Sequence, residues 1–463
     1  MTAFRFLTAG ESHGPALGAT LEGLPAGVPV TADGIAHDLR RRQGGYGRGA
    51  RQAIEQDRAE ILAGVRHGLT IGSPILLLVR NRDWENWTRV MQVEPLTAAQ
   101  SEELAELVAE GDRRATPVTR LRPGHADLAG ALKYGFSDVR PVLERASARE
   151  TAARVAAGAV CRAFLAALGI EVWSFTAEVG GVAVDPASCT RSRAEAETSP
   201  LRCPDPDAEA RMVARIDEAR SLGNTVGGVF EVVAHGLPVG LGSHVHWDRR
   251  LDGQLAAAVM SIQSVKGVEL GLGFAQTRLL GSEVHDVIDG RDGSGAWIHR
   301  TNNAGGLTGG ITNGQPLVVR GAVKPISTLA RPLPSADLVS GAAVEKAHYE
   351  RSDISVVPAA GVIGEAMVLL TLSAAVLEKF GGDSLAEVQD NVGRYLERIT
   401  RVSSADGEGA GARASMGDAR AGDTNATRAG ETGADTDQTP VGADTDSGSA
   451  HNVSGAAGSG GDD

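Results

Sequence analysis

Short runs of alternating apolar and polar residues recur along the first 320 residues and predict β-strands. Each run is flanked by turn residues, which is the usual pattern of a half-buried strand. The predicted strands are Phe4–Leu7, Ala16–Glu22, Ile61–Val65, Ile75–Val79, Val172–Val179, Val229–Ala234 and Leu317–Arg320.

Three helices are predicted from their start signals. The amphipathic segment Thr31–Arg42 begins with a capping threonine, and the alanine-rich segment Pro141–Leu168 begins with a proline. Ser384 and Glu387 form a capping box in front of Val388–Ile399. The small side chains of the alanine-rich helix suit burial between two layers.

A fourth helix, Pro358–Phe380, is apolar on all sides and stops at Gly381 and Gly382. A helix without a polar face has to be covered all round, so we expect it at the centre of the fold. Strand-rich parts packed around such helices predict an α+β protein.

Two stretches of the chain echo each other. Ala16–Val28 resembles Val229–Leu241, and Gly68–Ile75 resembles Gly310–Leu317, in the same order. This predicts an internal duplication of two strand-rich modules, about residues 1–135 and 225–350, that share the central helices. The alternative is that generic turns recur in a chain with 60 glycines.

Charge is unevenly spread along the 463 residues. The formal net charge is −13, and residues 403–463 contribute −8 of it, from eleven acidic residues against three arginines. This balance excludes a uniformly basic nucleic-acid-binding protein. Because residues 403–463 contain no aromatic residue, Leu or Ile, we expect a disordered acidic tail after a folded domain of residues 1–402.

Cysteine usage and hydropathy favour a soluble cytoplasmic protein. Cys161, Cys189 and Cys203 have no CxxC spacing, and the N-terminus does not resemble a secretion signal. The apolar runs seen in the sequence fall short of the roughly 20 residues that span a membrane. The polar, proline-containing stretch Pro186–Pro206 is predicted to be an exposed loop.

Gly10–Gly14 matches the GxSxG motif of serine hydrolases, with Ser12 as the nucleophile. Asp337 and His348 are the triad partners in suitable chain order. However, the motif requires a helix directly after the serine, whereas Ala16–Glu22 has the alternation of a strand. A hydrolase therefore remains an alternative rather than the favoured function.

Arginines cluster around a glycine-rich segment, Gln43–Gly49. Arginine binds carboxylates and phosphates in a bidentate manner, and glycine lets backbone N–H groups approach the same anion. An RNA-binding RGG segment is the alternative, although one such patch on an acidic protein argues against it. The cluster consists of Arg40, Arg41, Arg42, Arg48 and Arg51.

Four further motifs suit anion binding or proton transfer. Arg122–Asp127 places His125 on a Pro-Gly turn, and Arg145–Glu150 precedes a buried helix. Lys324–Thr328 combines a cation with two hydroxyls, and Arg351–Asp353 precedes the apolar helix. The P-loop, HExxH and Rossmann patterns are missing, and we expect no metal site.

Together these motifs closely resemble those of chorismate synthase over about residues 1–400. Gly44 stands where we expect the family to have proline. The matching segments, in order, are Gly10–Gly14, Gly45–Gly49, Gly64–Gly68, Arg122–Asp127, Arg145–Glu150, Asn303–Gly306, Lys324–Thr328 and Arg351–Asp353.

The resemblance implies a β-α-β sandwich that assembles as a homotetramer and binds reduced FMN. It implies a lyase of aromatic amino acid biosynthesis that eliminates phosphate from 5-enolpyruvylshikimate 3-phosphate to form chorismate, without net redox change. No flavin reductase domain is recognisable, so reduced FMN is expected from an external NAD(P)H-dependent reductase.

The resemblance also assigns roles by position. His13 matches the histidine that protonates the departing phosphate, and His125 the one that serves the flavin near N1. Asp353, with Ser12 as relay, matches the aspartate that helps remove the proton through flavin N5. The substrate arginines match Arg42, Arg48, Arg51, Arg122 and Arg149. The FMN ligands match Arg145, Ala146, Ser147, Gln263, Ser264, Gly309, Lys324, Pro325, Ile326, Ser327, Thr328 and Arg351.

Overall fold

The computed structural model describes residues 4–49, 56–185, 189, 191–293, 295–349 and 353–401. Its strands are β1 (Arg5–Ala9), β2 (Ala16–Glu22), β3 (Ala59–Ala63), β4 (Val65–Arg66), β5 (Leu69–Thr70), β6 (Ile75–Arg80), β7 (Glu171–Val179), β8 (Val182–Ala183), β9 (Gly228–His235), β10 (Val265–Leu270), β11 (Ile288–Arg291), β12 (Trp297–His299), β13 (Leu307–Thr308), β14 (Ile311–Thr312), β15 (Leu317–Val323), β16 (Ser335–Ala336) and β17 (Ala343–Val344). Its α-helices are α1 (Ala32–Gln43), α2 (Ala98–Ala109), α3 (Asp127–Tyr134), α4 (Arg140–Ala146), α5 (Thr151–Ala166), α6 (Arg193–Thr198), α7 (Pro206–Ser221), α8 (Leu251–Met260), α9 (Gly281–Val284), α10 (Val357–Phe380) and α11 (Leu385–Arg401).

Two antiparallel sheets enclose the central helices. The first sheet has the strand order β1-β2-β6-β3, and the second has the order β10-β15-β9-β7-β8. In the first sheet, Leu17 lies opposite Val79 and Leu21 opposite Ile75. All four side chains are buried on the face that carries the core. The period-2 pattern of the sequence is therefore the pattern of one covered sheet face.

The central helices α5 and α10 form the layer between the sheets. Helix α5 packs on β2 and β6, and α10 packs on β7 and β9. The two helices cross closely at Gly158, where an added Cβ would lie 2.5 Å from the Ala366 Cβ. By length and composition alone α10 could cross a membrane, but most of it is buried inside this fold. The predicted α+β sandwich around a covered helix is confirmed.

The internal duplication is visible in the strand order. The series β1-β2-β6-β3 has its counterpart in β7-β9-β15-β10, so the second module begins at β7 rather than near residue 225. One side chain makes the same two hydrogen bonds in each copy. Thr70 Oγ1 donates to the Pro25 carbonyl at 2.6 Å and accepts a hydrogen bond from the Val28 N–H at 2.9 Å. In the second copy, Thr312 Oγ1 donates to the Pro238 carbonyl at 2.6 Å and accepts from the Leu241 N–H at 2.8 Å.

Two sequence predictions need correction. The predicted helix Pro141–Leu168 is divided into α4 and α5, because Ser147 has an extended backbone and its hydroxyl accepts the Arg149 N–H at 3.2 Å. The stretch predicted as an exposed loop contains α6 and the buried Cys203. The Ser199 hydroxyl there accepts the Cys203 N–H. Residues 186–188, 190 and the predicted tail 403–463 lie outside the described residues.

A buried ion cluster joins α10 to its surroundings. Both carboxylate oxygens of Glu365 accept hydrogen bonds from Arg41, at 2.7 and 2.8 Å. Arg162, Arg202 and the Ser174 hydroxyl also donate to this carboxylate, at 2.6, 3.2 and 2.6 Å. Burial by itself raises the pKa of Glu365, but the three guanidiniums lower that pKa well below its ordinary value. The cluster ties α10 to α1, α5, β7 and the segment after α6.

Glu365→Gln is expected to destabilise the fold by roughly 3–5 kcal/mol at pH 7, because it removes the buried carboxylate that three guanidiniums share and leaves only Asp38 and Glu197 to offset their charge. The folded-state pKa of Glu365 is depressed from 4.5. Its stabilisation is therefore present above that pH and is lost as the pH falls further. Urea denaturation should show that the difference in unfolding free energy between the parent and the variant narrows below about pH 4.5.

Glu22→Gln serves as the control, because Glu22 pairs with Arg5 at the surface. This change should cost under about 1 kcal/mol. If the loss of unfolding free energy caused by Glu365→Gln is the same at neutral and acidic pH, the electrostatic explanation is contradicted.

Candidate functional site

A cavity of about 690 Å³ lies where loops from both modules meet the start of α10. It brings together predicted site residues that are far apart in the chain. From the predicted catalytic and substrate-binding residues it is lined by Ser12, His13, Arg42, Arg48, Arg122, His125, Arg149 and Asp353. From the predicted cofactor ligands it is lined by Ala146, Ser147, Gln263, Ser264, Lys324, Ile326, Ser327 and Thr328.

Of the five remaining predicted site residues, three are described and do not line this cavity. Arg145 donates to the Thr8 and Gly10 carbonyls at 3.1 and 3.2 Å instead. Gly309 lies on the exposed turn between β13 and β14, and Pro325 is not a lining residue. The other two, Arg51 and Arg351, lie outside the described residues.

His13 is held between a carboxylate and an indole. Its Nδ1 lies 2.9 Å from Glu144 Oε1, and its backbone N–H donates to Glu144 Oε2 at 2.8 Å. The Trp87 ring stacks on the imidazole with centroids 4.0 Å apart. Because Nδ1 faces Glu144, Nε2 is the nitrogen that remains for a ligand in the cavity.

His125 lies on a turn that is docked onto the segment after β15. Its Nε2 is 3.3 Å from Thr328 Oγ1. The Gly124 carbonyl accepts from Lys324 Nζ at 2.5 Å and from Ser327 Oγ at 3.2 Å. Burial and the neighbouring Arg122 lower the pKa of His125, so its neutral form is favoured near pH 7.

Two arginines of the cavity share one buried carboxylate. Arg149 donates to Asp57 at 2.6 Å, and Arg42 donates to the same carboxylate at 3.3 Å. Arg42 also donates to Thr151 Oγ1 at 2.9 Å. Burial, together with the neighbouring Arg149 and Arg48, lowers the pKa of Arg42 to about 10, although Asp57 opposes this. At neutral pH the Arg42 guanidinium stays charged. Asp57 fixes the positions of both guanidiniums.

The other arginines are each paired in the same way. Arg122 makes a bidentate contact with Asp127, with both distances 2.8 Å. Arg48 lies 3.1 Å from Asp353, which also accepts the Gly49 N–H at 2.5 Å. Burial lowers the pKa of Arg48. Its Nε is buried without a hydrogen bond among the described residues, so a donor is available for an anion.

Hydroxyl groups and a side-chain amide also line the cavity. Ser147 Oγ and Ser12 Oγ lie 3.2 Å apart. Gln263 Nε2 donates to Glu150 at 3.1 Å, while its Oε1 is buried and makes no hydrogen bond within the described chain. Ser264 has a φ of +71°, an uncommon conformation for a residue other than glycine. Strain and an unpaired buried acceptor are typical of a ligand site.

The chemistry of the cavity follows from these contacts. The lining carries positive charge on arginine side chains and Lys324, two imidazoles of a type that can transfer protons, and the carboxylate of Asp353. Such a site suits a small molecule with several negative charges. Neither Asp337 nor His348 lines the cavity with Ser12, so the alternative hydrolase triad is not assembled. The described residues contain no cluster of His, Cys, Asp or Glu suited to a metal ion.

Sequence reasoning missed the residues that hold the site residues in place. Asp57, Asn81, Trp87 and Glu144 bind or stack on predicted site residues. The sequence contains no pattern that marks them, because their partners are distant in the chain. Tyr349, which also lines the cavity, lacks a local motif as well.

Comparisons with known proteins identify relatives of this chain. The family model described as chorismate synthase matches residues 4–377. The chorismate synthase of Thermobifida fusca is 54% identical over 400 residues, covering 85% of this chain and 99% of the relative. That of Symbiobacterium thermophilum is 56% identical over 400 residues, covering 86% and 100%. A crystal structure of chorismate synthase superposes with a TM-score of 0.68 at 42% identity, covering 87% of this chain and 99% of the other.

Gly124→Ala should weaken the binding of FMN, the cofactor implied by the sequence, by about tenfold or more. Gly124 has a φ of +76°, and an added Cβ would lie 2.7 Å from Ser327 Oγ. Such overpacking typically costs about 1–3 kcal/mol and displaces the segment 324–328. The measurement is the Kd of oxidised FMN from flavin fluorescence.

Gly111→Ala is the matched control. Gly111 has a similar φ of +84°, but an added Cβ would meet nothing within 4 Å. It carries the same backbone strain and should leave FMN affinity unchanged. Equal losses of affinity in both variants would show that the close approach to Ser327 is irrelevant.

Proposed function

The chain belongs to the chorismate synthase family and is a carbon–oxygen lyase of aromatic amino acid biosynthesis, and we propose that it converts 5-enolpyruvylshikimate 3-phosphate to chorismate and phosphate with reduced FMN. The observation that carries this proposal is the single cavity lined by paired arginines, two histidines and Asp353. The substrate has two carboxylates and one phosphate, and this cavity supplies the matching charge.

The buried arginines bind the substrate. Arg42 and Arg149 are oriented by Asp57, and Arg122 is oriented by Asp127. These guanidiniums meet the substrate anions without having to reorganise first, and exclusion of water strengthens each contact. Arg48 completes this set among the described residues, and we propose that Arg51 joins it.

His13 assists departure of the phosphate. The C3–O bond breaks with its electron pair on the phosphate oxygen, and the protonated imidazole gives its Nε2 proton to that oxygen. A positioned general acid of this kind contributes about 10²–10⁴-fold to a rate. The buried contacts of His13 with Glu144 and Trp87 support this role.

Asp353 is placed to receive the proton that leaves C6. It lies at the cavity wall beside Arg48, which holds the carboxylate. Ser12 and Ser147 form a pair of hydroxyls that can relay this proton. The hydrogen at C6 is not acidic, so the reaction needs help beyond a base.

Reduced FMN bound in this cavity would supply that help as a transient electron donor without net redox change. The residues present fit this cofactor, because Gln263 Oε1 is a buried acceptor without a hydrogen bond in the described chain. Lys324 and the hydroxyls of Ser327 and Thr328 suit a flavin phosphate. The neutral form of His125 is available for a hydrogen bond to the flavin. The remaining proposed ligands are Arg145, Ala146, Ser147, Ser264, Gly309, Pro325, Ile326 and Arg351.

The cellular setting is proposed on the same basis. We propose a homotetramer in the cytoplasm, supplied with reduced FMN by a separate NAD(P)H-dependent reductase. Residues 1–402 form the catalytic domain, and residues 403–463 form an acidic tail that the reaction does not require.

The test of this function is chorismate formation under anaerobic conditions. One equivalent of photoreduced FMN should support many turnovers, because the electron returns to the cofactor in each cycle. Oxidised FMN should bind but give no product. Chorismate is followed by its absorbance and flavin oxidation by the visible spectrum. Oxidation of one flavin per product would rule out this use of the cofactor.

The histidines and Arg48 should have different kinetic effects. His13→Ala and His125→Ala should lower kcat by roughly 10 to 10⁴-fold, with the substrate Kd changed less than about tenfold. Arg48→Ala should mainly raise the Kd, because it removes a partner of a polyanion. Arg300→Ala is the control, since Arg300 pairs with Asp289 at the surface and should change neither quantity. Full activity of His125→Ala would contradict its flavin role.

A further inference from the structure

Glu144 is a buried carboxylate in direct contact with His13. It lies on α4, its side chain is fully buried, and the His13 side chain is 8% exposed. Both carboxylate oxygens face the histidine: Oε1 lies 2.9 Å from Nδ1, and Oε2 lies 3.1 Å from Nδ1 and 2.8 Å from the backbone nitrogen. The main chain adds a further contact, since the Ser12 N–H donates to the Glu144 carbonyl at 3.1 Å.

These contacts determine which nitrogen of His13 carries a proton. An ionised carboxylate only accepts hydrogen bonds, so Nδ1 must be the donor towards it. The neutral imidazole then has a lone pair at Nε2, and the protonated ring has an acidic N–H there. Since His13 lines the cavity, Nε2 is the atom through which it can act on a ligand.

Trp87 and Arg140 complete the surroundings of the pair. The Trp87 ring stacks on the imidazole at an interplanar angle of 23°. Arg140 lies 5.3 Å from the centre of that indole ring, and its Nη1 is 3.7 Å from Glu144 Oε1. Arg140 therefore balances the charge of Glu144 while His13 is neutral, and Trp87 restricts rotation of the imidazole.

The charges that line the cavity make a protonated His13 costly. Most of them are positive, and like charges in a buried site repel each other. Glu144 is the carboxylate that touches His13 directly and offsets this repulsion. The charged and titratable groups lining the cavity beside His13 are Arg42, Arg48, Arg122, His125, Arg149, Lys324, Tyr349 and Asp353.

We propose that Glu144 is a positioning residue for His13, which holds the proton on Nδ1, directs Nε2 into the cavity and stabilises the imidazolium that protonates the departing phosphate. This inference rests on the proposed function. In the step itself, the Nε2 proton moves to the phosphate oxygen that keeps the electron pair of the broken C–O bond. The neutral imidazole that results keeps its Nδ1 hydrogen bond to Glu144.

Glu144→Gln tests the proposal, because it keeps the shape of the side chain and removes its charge. With reduced FMN and 5-enolpyruvylshikimate 3-phosphate, kcat should fall roughly 10 to 10³-fold while KM changes less than about threefold. The pH above which kcat declines should be lower in the variant, because the protonated ring has lost its counter-charge. An unchanged pH profile would overturn the proposal.

Glu231→Gln controls for the loss of a buried carboxylate elsewhere. Glu231 lies on β9, pairs with Arg191 and Arg320, and does not line the cavity. The Glu231→Gln substitution should lower thermal stability without shifting the pH profile of kcat. An equal shift of the profile in this control would mean that the effect of Glu144→Gln is a general consequence of destabilisation.

A double variant distinguishes positioning of His13 from a structural role. In a His13→Ala background, Glu144→Gln should cost less than about twofold further in kcat, because its effect acts through the missing imidazole. If Glu144→Gln costs the same factor in both backgrounds, Glu144 serves the fold and not His13. Glu144→Asp keeps the charge and should retain more activity than Glu144→Gln. If Glu144→Gln does not fold, Glu144→Asp is used in its place.

Nitrogen-15 NMR of labelled histidine separates this inference from the proposed function. The His13 resonances, assigned by their loss in His13→Ala, should report a proton on Nδ1 in the parent protein without substrate. Absence of chorismate formation by the parent would overturn the proposed function. A parent His13 protonated on Nε2 alone would overturn the role of Glu144.

Discussion

Arginines inside this fold are stabilised by carboxylates that lie behind them. Asp57 serves Arg42 and Arg149, Asp127 serves Arg122, and Glu365 serves the cluster around α10. Burial of an unpaired guanidinium costs several kcal/mol, whereas a paired and hydrogen-bonded one is tolerated. The charges of Arg42, Arg122 and Arg149 in the cavity lining therefore depend on carboxylates that do not themselves line it, whereas the partner of Arg48, Asp353, does.

The duplicated architecture decides where these charges meet. Each sheet covers one of the helices α5 and α10, and the two helices approach closely at Gly158 and Ala366. Loops after β1, α1 and β15 and the turns before α3 and α5 then converge in front of the start of α10. These loops and turns are anchored on the two sheets and on α5 and α10, whose buried faces form the hydrophobic core.

The two histidines of the cavity have opposite surroundings. His13 contacts a buried carboxylate, whereas burial and the neighbouring Arg122 lower the pKa of His125. This division matches the proposed reaction, in which His13 protonates the phosphate while an uncharged His125 serves the cofactor.

Local patterns in the sequence determined seven of the nine strands of the two sheets, the capped starts of α1 and α11, the covered helix α10 and the family motifs, but not β8 and β10. These features depend on neighbouring residues: hydrophobic period, capping side chains and turn residues. Motif membership also led to most lining residues of the cavity, through the resemblance to a known family. It did not distinguish Arg145 and Pro325, which share the motifs and do not line the cavity in the structure.

Tertiary structure alone decided the partners of those residues. Glu144 reaches His13 across 131 residues of sequence, and Asp57 reaches Arg149 across 92. The burial of Cys203 likewise depends on packing against distant elements. A carboxylate looks the same in sequence whether it faces water or a guanidinium, and only the folded chain sets which of the two it meets.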